Sequence, residues 1–306
     1  MRVRIIKMMF PILGLLLLYG IAAASPKDLA EIRTTIEKSS LPGERKATLF
    51  TRASEAVGIG IPAADVAVII KRGLSRGSDG KALEESLGAA VTAKQKGLPV
   101  KPVLDRIEQG LSKGVPSERI SAATKQLVVK LSTADTIVNN LGKSGLKAGD
   151  QGEKGVAVHS VARALEKSIP EDTLTKVGQR TISQGVALSR FSAAVDTMAF
   201  FVEMGMTVEQ ASGLIYKAMD KGYSENEMFM MQKEMSGMMK GNSNMNDIMK
   251  NMEVMMNSGM MGKGMGGSNA PGMGSHGPGM GMGSPGMGMG GPGMGMGGPG
   301  MGGHKH

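Results

Sequence analysis

The side chains best suited to chemistry sit at the C-terminal end of the chain. After Ser258, prolines recur every seven residues, at Pro271, Pro278, Pro285, Pro292 and Pro299. The phrase Pro-Gly-Met-Gly-Met-Gly-Gly is complete at Pro285 and at Pro292. It sets Met280 with Met282, Met287 with Met289 and Met294 with Met296 in Met-x-Met pairs, flanked by Met273 and Met301. His276, His304 and His306 add imidazoles. Thioethers are soft, neutral ligands that suit Cu(I) and, by the same softness, Ag(I); imidazole suits copper in either oxidation state. The glycine inside each pair lets both sulfurs turn to one ion. Residues 259–306 hold 22 Gly and 11 Met with no acidic residue, which argues against Ca²⁺ and Mg²⁺. At about three soft ligands per ion, the tail has room for roughly three Cu(I). Thioethers need no deprotonation, so capture is expected to persist in mild acid, where thiolate sites fail.

Two other uses fit the same composition. One is a flexible, mildly sticky tether; the tail resembles, in composition alone, the Gly-Met tail of bacterial chaperonins. The other is an oxidant sink, in which thioethers are converted to sulfoxides. The heptad is not a coiled coil, because Gly and Pro oppose a helix, and it is not collagen, because Gly keeps no strict period of three. Such a chain cannot repay the entropy of ordering, so disorder until binding is the expectation.

What carries this tail is a repeat. A phrase of small residue, apolar residue and then Pro, Thr or Ser recurs as Ser40-Leu41-Pro42, Gly60-Ile61-Pro62, Gly97-Leu98-Pro99, Gly114-Val115-Pro116, Ser168-Ile169-Pro170, Gly205-Met206-Thr207 and Gly222-Tyr223-Ser224. Gly77-Ser78-Asp79 is a degenerate copy. Steps of 17 (Gly60 to Gly77, Gly97 to Gly114, Ser168 to Gly185, Gly205 to Gly222) alternate with steps of 20 (Ser40 to Gly60, Gly77 to Gly97), giving a period of 37. A left-handed Gly ends a helix, the apolar residue packs back on the last turn, and Pro, Thr or Ser opens the next helix. Thr207 with Gln210, and Ser224 with Glu227, have capping-box spacing. Between phrases, Val66, Ile69, Ile70 and Leu74 share one helical face, as do Val103, Leu104, Ile107 and Leu111. No strand-like alternation of useful length occurs. The spacing predicts an all-α array of αα-hairpin repeats, with half-repeats of 17 and 20, whose neighbours bury a shared core.

The register lapses where Asn139, Asn140, Gly142, Gly145, Gly149 and Gly152 cluster. The expected organisation is a signal peptide over residues 1–24, helical repeats over 25–133, an irregular loop over 134–153 and further repeats over 154–240. A Met-rich helix over 241–258 and the disordered Pro-Gly-Met-Gly tail over 259–306 follow. Met228, Met231, Met235 and Met238, and then Met245, Met249, Met252 and Met256, step by three and four. They predict two helices divided near Gly241 and Asn242, with Met serving either as an adaptable binding face or as core filling.

Arg2, Arg4 and Lys7 precede an apolar run from Met8 to Ala24, and Ala22-Ala23-Ala24 offers small residues before Ser25. Charged start, apolar middle and small exit read as a secretory signal cleaved near Ala24; an uncleaved anchor is the rival. The chain is then periplasmic or secreted from a bacterium, with no integral membrane segment left after cleavage. It has no cysteine, hence no disulfide, thiolate metal site, thiol nucleophile or lipoprotein anchor. Aromatic residues make up 3%, and the net charge of +9 is dispersed, with Lys and Arg interleaved with acids. Neither favours nucleic acid.

Enzymatic signals are weak. His159 stands alone before the tail. Gly142-Lys143-Ser144 has Ile137 where a phosphate loop needs its first Gly, and Gly58-x-Gly60 follows a helical pattern where a dinucleotide fold needs a strand. The adjacent acids Glu84-Glu85 and Glu171-Asp172 do not face each other on a helix. The reading is a non-enzymatic exported repeat protein. Its repeat surface or Met-rich helix binds a protein partner, and its tail captures Cu(I) or Ag(I). The alternative is an envelope scaffold or chaperone-like module whose sticky tail holds no physiological metal.

Overall fold

The computed structural model describes residues 26–147, 149–241 and 244–259, with side chains from Leu29 onward. The expected signal segment and the Pro-Gly-Met-Gly tail lie outside the described residues. Those described form twelve helices and no sheet: α1 (Pro26–Glu37), α2 (Gly43–Gly58), α3 (Ala63–Ser75), α4 (Gly80–Gln95), α5 (Lys101–Ser112), α6 (Ser117–Lys143), α7 (Gln151–Glu166), α8 (Glu171–Ser183), α9 (Leu188–Glu203), α10 (Val208–Asp220), α11 (Glu225–Lys240) and α12 (Met245–Asn257).

The recurring phrase is the turn. At Gly97 the backbone takes φ 69°, Leu98 N–H donates to the Ala93 carbonyl at 2.9 Å, and Gly97 N–H donates to Lys94 at 3.0 Å. This pair of bonds satisfies carbonyls that the end of α4 would otherwise leave bare, while Leu98 folds back into the core. The same backbone recurs at Gly60, Gly77, Gly114, Gly185, Gly205 and Gly222. Ser168 adopts it too, at φ 60°, the one non-glycine with positive φ among the described residues. Ser40 does not; α1 stops earlier, where the Ser39 hydroxyl donates to Ile36 O at 2.6 Å. Pro42, Pro62, Pro116 and Pro170 stand directly before α2, α3, α6 and α8. Thr207 and Ser224 form complete capping boxes with Gln210 and Glu227.

The helices stack neighbour to neighbour in two layers. The longer α2, α4, α6, α7, α9 and α11 touch in succession, and the shorter α1, α3 and α5 do so on the other side. Consecutive helices approach closely where Gly replaces a side chain. A Cβ on Gly73 would lie 2.5 Å from Leu83, and one on Gly110 would lie 2.7 Å from Ile120, the same contact one period later. The polar face obeys the period as well. Glu85 accepts from Ser121 at 2.8 Å and Lys125 at 2.7 Å; Ser160 donates to Asp196 at 2.7 Å; Arg163 donates to Glu203 at 3.2 Å; and Arg180 bridges to Asp220. Partners 36 or 40 residues apart are what a 37-residue period produces when one turn of helix separates the two choices.

Residues 134–143 differ from expectation. They are helical, and α6 runs unbroken for 27 residues, about 40 Å, with Ala134 and Leu141 buried. The reason is spacing. The start of α4 lies 37 residues before that of α6, but α6 and α7 start only 34 apart. Three residues are missing where the Gly-apolar-Pro turn belongs, so one helix continues into the next. Of the described residues between α6 and α7, only 144–147 and 149–150 lie outside helices. The reversal that the missing turn would have made is displaced to them. Asp135 meets Lys154 at 2.9 Å and Lys130 donates to Leu165 O at 2.6 Å, so α7 runs antiparallel to α6. By contrast α7 and α9 are parallel, as Ser160–Asp196 and Arg163–Glu203 show. The two halves of the array therefore have opposite polarity, and the reversal between them lies in the short segment after α6.

Candidate functional site

The residues expected to ligate a soft metal, from Met273 and His276 through Met280, Met282, Met287, Met289, Met294, Met296 and Met301 to His304 and His306, all lie outside the described residues. The structure therefore bears on the body that carries them.

The Met-rich helices are part of that body. Met228, Met231 and Met235 on α11, and Met252 and Met256 on α12, are fully buried beside Ile248. Met238, Met239, Met245, Met249 and Met255 are half-buried against the same core. The buried set lies one period after buried core positions of α9 and α10, namely Phe191, Ala194, Met198, Ile215 and Met219. Core filling thus accounts for them. What α11 shows to solvent is Phe229, 64% exposed, with Met230 half-exposed next to it. Position alone did not reveal Phe229 as surface, because one period earlier Ser192 is buried.

Polar side chains gather along one groove. It has a volume of about 560 Å³ and runs between the C-terminal half of α6 and α8. Thr133, Thr136, Asn140, Thr175 and Gln179 line its walls, with Ile137 at its floor. Its lining offers hydroxyls and amides with a single carboxylate, Glu171, and no imidazole. No group of three His, Asp or Glu side chains suited to holding a metal occurs among the described residues.

Of the acidic residues noted in the sequence, Glu85 has partners on the next repeat. Hydrogen bonds from Lys125 and Ser121 hold its carboxyl below its ordinary range against a smaller opposing effect of burial. Glu203 is held low chiefly by the Lys167 ammonium, with Arg163 adding to it. Glu171 and Asp172 occupy the first turn of α8, where acids favour the amide end of a helix. His159 is exposed on α7. Gly142-Lys143-Ser144 sits at the C-terminal end of α6 and Gly58-x-Gly60 at that of α2. Helix ends of that polarity present carbonyls and repel phosphate, which excludes both apparent nucleotide motifs.

No family model, curated protein or solved structure matches this chain. No helix among the described residues is long and apolar enough to cross a membrane.

Proposed function

We propose that this chain is a non-enzymatic exported binding protein whose Met/Gly/His tail captures Cu(I) or Ag(I) and whose helical array offers a surface to a protein partner. The observation that carries the reading is the proline-spaced series of Met-x-Met pairs with flanking imidazoles and no acid in residues 259–306. The donor set is soft and neutral, and it matches univalent copper or silver over harder ions. The thioethers of α11 and α12 are largely committed to a core, so they are not the sulfurs the reading assigns to metal capture.

The scaffold reading has one observation of its own, the exposed Phe229 beside Met230 at the end of the array. The two differ in their need for sulfur. Exchanging Met273, Met280, Met282, Met287, Met289, Met294, Met296 and Met301 for Leu in the full chain preserves apolar volume and removes the ligands. Anaerobic competition for Cu(I) against a chromophoric chelator is expected to be lost in that variant. In the parent it persists from neutral to mildly acidic pH. Undiminished competition in the variant would overturn metal capture by the tail thioethers. A partner interaction that survives the exchange would support the scaffold.

A further inference from the structure

The terminal repeat fills its core with more Met than any earlier one, although Met198 and Met219 are already buried in α9 and α10. In α3 the fully buried side chains are Val66, Ile69 and Ile70, and in α5 they are Val103, Leu104, Ile107 and Leu111. In α11 and α12 five of the six are Met: Met228, Met231, Met235, Met252 and Met256, with Ile248 the exception. Around them, Met238, Met239, Met245, Met249 and Met255 are half-buried, so solvent reaches their edges. Among the described residues this repeat is the last of the stack. Glu227, Glu234, Asp247 and Asn251 on it are of intermediate or full exposure, and Lys217–Glu253 is an exposed tie back to α10. In a one-dimensional array an end repeat opens without disturbing those behind it.

We infer that α11–α12 is an oxidation-sensitive element, held shut by reduced thioethers and released when a peroxide converts them to sulfoxides. This is separate from metal capture and from the tail, and it does not depend on either. In the step, a peroxide oxygen forms an S–O bond as its O–O bond breaks. Sulfur gives up two electrons, and the departing oxygen takes the proton of the transferred one and leaves as water. The half-buried Met238, Met239, Met245, Met249 and Met255 are reached first. Each sulfoxide puts a polar oxygen on a side chain packed against the apolar core, and closing the repeat over it strips water from part of that oxygen. One polar group left buried without a partner shifts a folded-to-open ratio by about tenfold. As the repeat frays, Met228, Met231, Met235, Met252 and Met256 become reachable, and their oxidation prevents reclosure. The half-buried set is the trigger, and the buried set makes the response all-or-none. Opening uncovers the side of α9 that holds Thr197, whose hydroxyl now meets Gln232 of α11 at 2.9 Å.

The experiment treats the full chain with hydrogen peroxide under native conditions. Hydrogen exchange is then read peptide by peptide, with sulfoxides located by peptide mass. The expected result is a loss of protection of about tenfold or more in residues 225–257, with α3 through α9 unchanged, restored by methionine sulfoxide reductases acting on both epimers. A full-chain variant with Leu at Met238, Met239, Met245, Met249 and Met255, and every other Met retained, should keep its protection under the same peroxide. The inference is overturned by oxidation of the five sites with protection intact, by opening of the five-Leu variant as in the parent, or by a loss spread evenly along the array. Resistance of the five sites to peroxide would overturn it as well.

Discussion

Ser168 holds a backbone conformation that its neighbours in the repeat assign to glycine. A side chain in the left-handed region costs about 1–2 kcal/mol, and glycine's extra freedom when unfolded returns about half of any relief. Ser168→Gly should therefore stabilise the chain by about 0.5–1 kcal/mol, read as a higher urea midpoint. Gly97→Ala should do the reverse by a similar amount, since nothing lies near its Cβ position and only the backbone objects. A midpoint that falls in the first or holds in the second would contradict the turn chemistry. Glu203 gives a pH signature at the same scale. Its carboxyl is held below its ordinary 4.5 when folded, so its contribution is complete above 4.5 and fades as pH drops through the folded value. Glu203→Gln should weaken the chain at pH 7 and have little effect near pH 3 in urea melts; an equal loss at both would show that the ion pairs with Lys167 and Arg163 do not act on stability. The turns and both capping boxes were legible in the sequence because each is a local rule, a residue type at a fixed offset. The inter-repeat role of Glu85 was not, since it depends on Ser121 and Lys125 brought near only by the 37-residue stacking.

At the scale of the element, α6 decides the direction in which the helical array continues. Its ten residues beyond Thr133 contain Asn139, Asn140 and Gly142, poor helix formers that look like a loop in isolation. Tertiary packing overrides them. Ile137, Val138 and Leu141 are buried, and a Cβ on Gly178 of α8 would strike Leu141 at 2.3 Å. The loss of three residues was visible in the spacing, but its consequence was not, because a gap in a repeat marks where a turn fails without saying whether helix or loop replaces it. Thr136 is exposed and mid-helix. Thr136→Pro should cost about 3 kcal/mol or more, since it removes a helix hydrogen bond and clashes with the preceding turn while disturbing no buried contact. Chemical denaturation measures this, and a near-neutral result would mean that residues 134–143 behave as the loop first expected.

For the molecule as a whole, the array and the tail follow different physics. The array's stability is a sum of repeats and their interfaces, which is why its period, its turns and its all-α character could be read from one sequence. The reversal of polarity at α6 could not, because direction is set by which partners meet, Asp135 with Lys154 and Lys130 with Leu165. The proposed metal site lies outside the described residues. Its legibility is chemical, through donor softness, proline spacing and the absence of acids in residues 259–306. The most direct test is anaerobic Cu(I) titration of the full chain beside one ending at Ser258, each against a chromophoric chelator. The full chain should withhold on the order of three ions and the shortened chain should withhold none. Equal competition by the two, or none by either, would contradict metal capture by the tail.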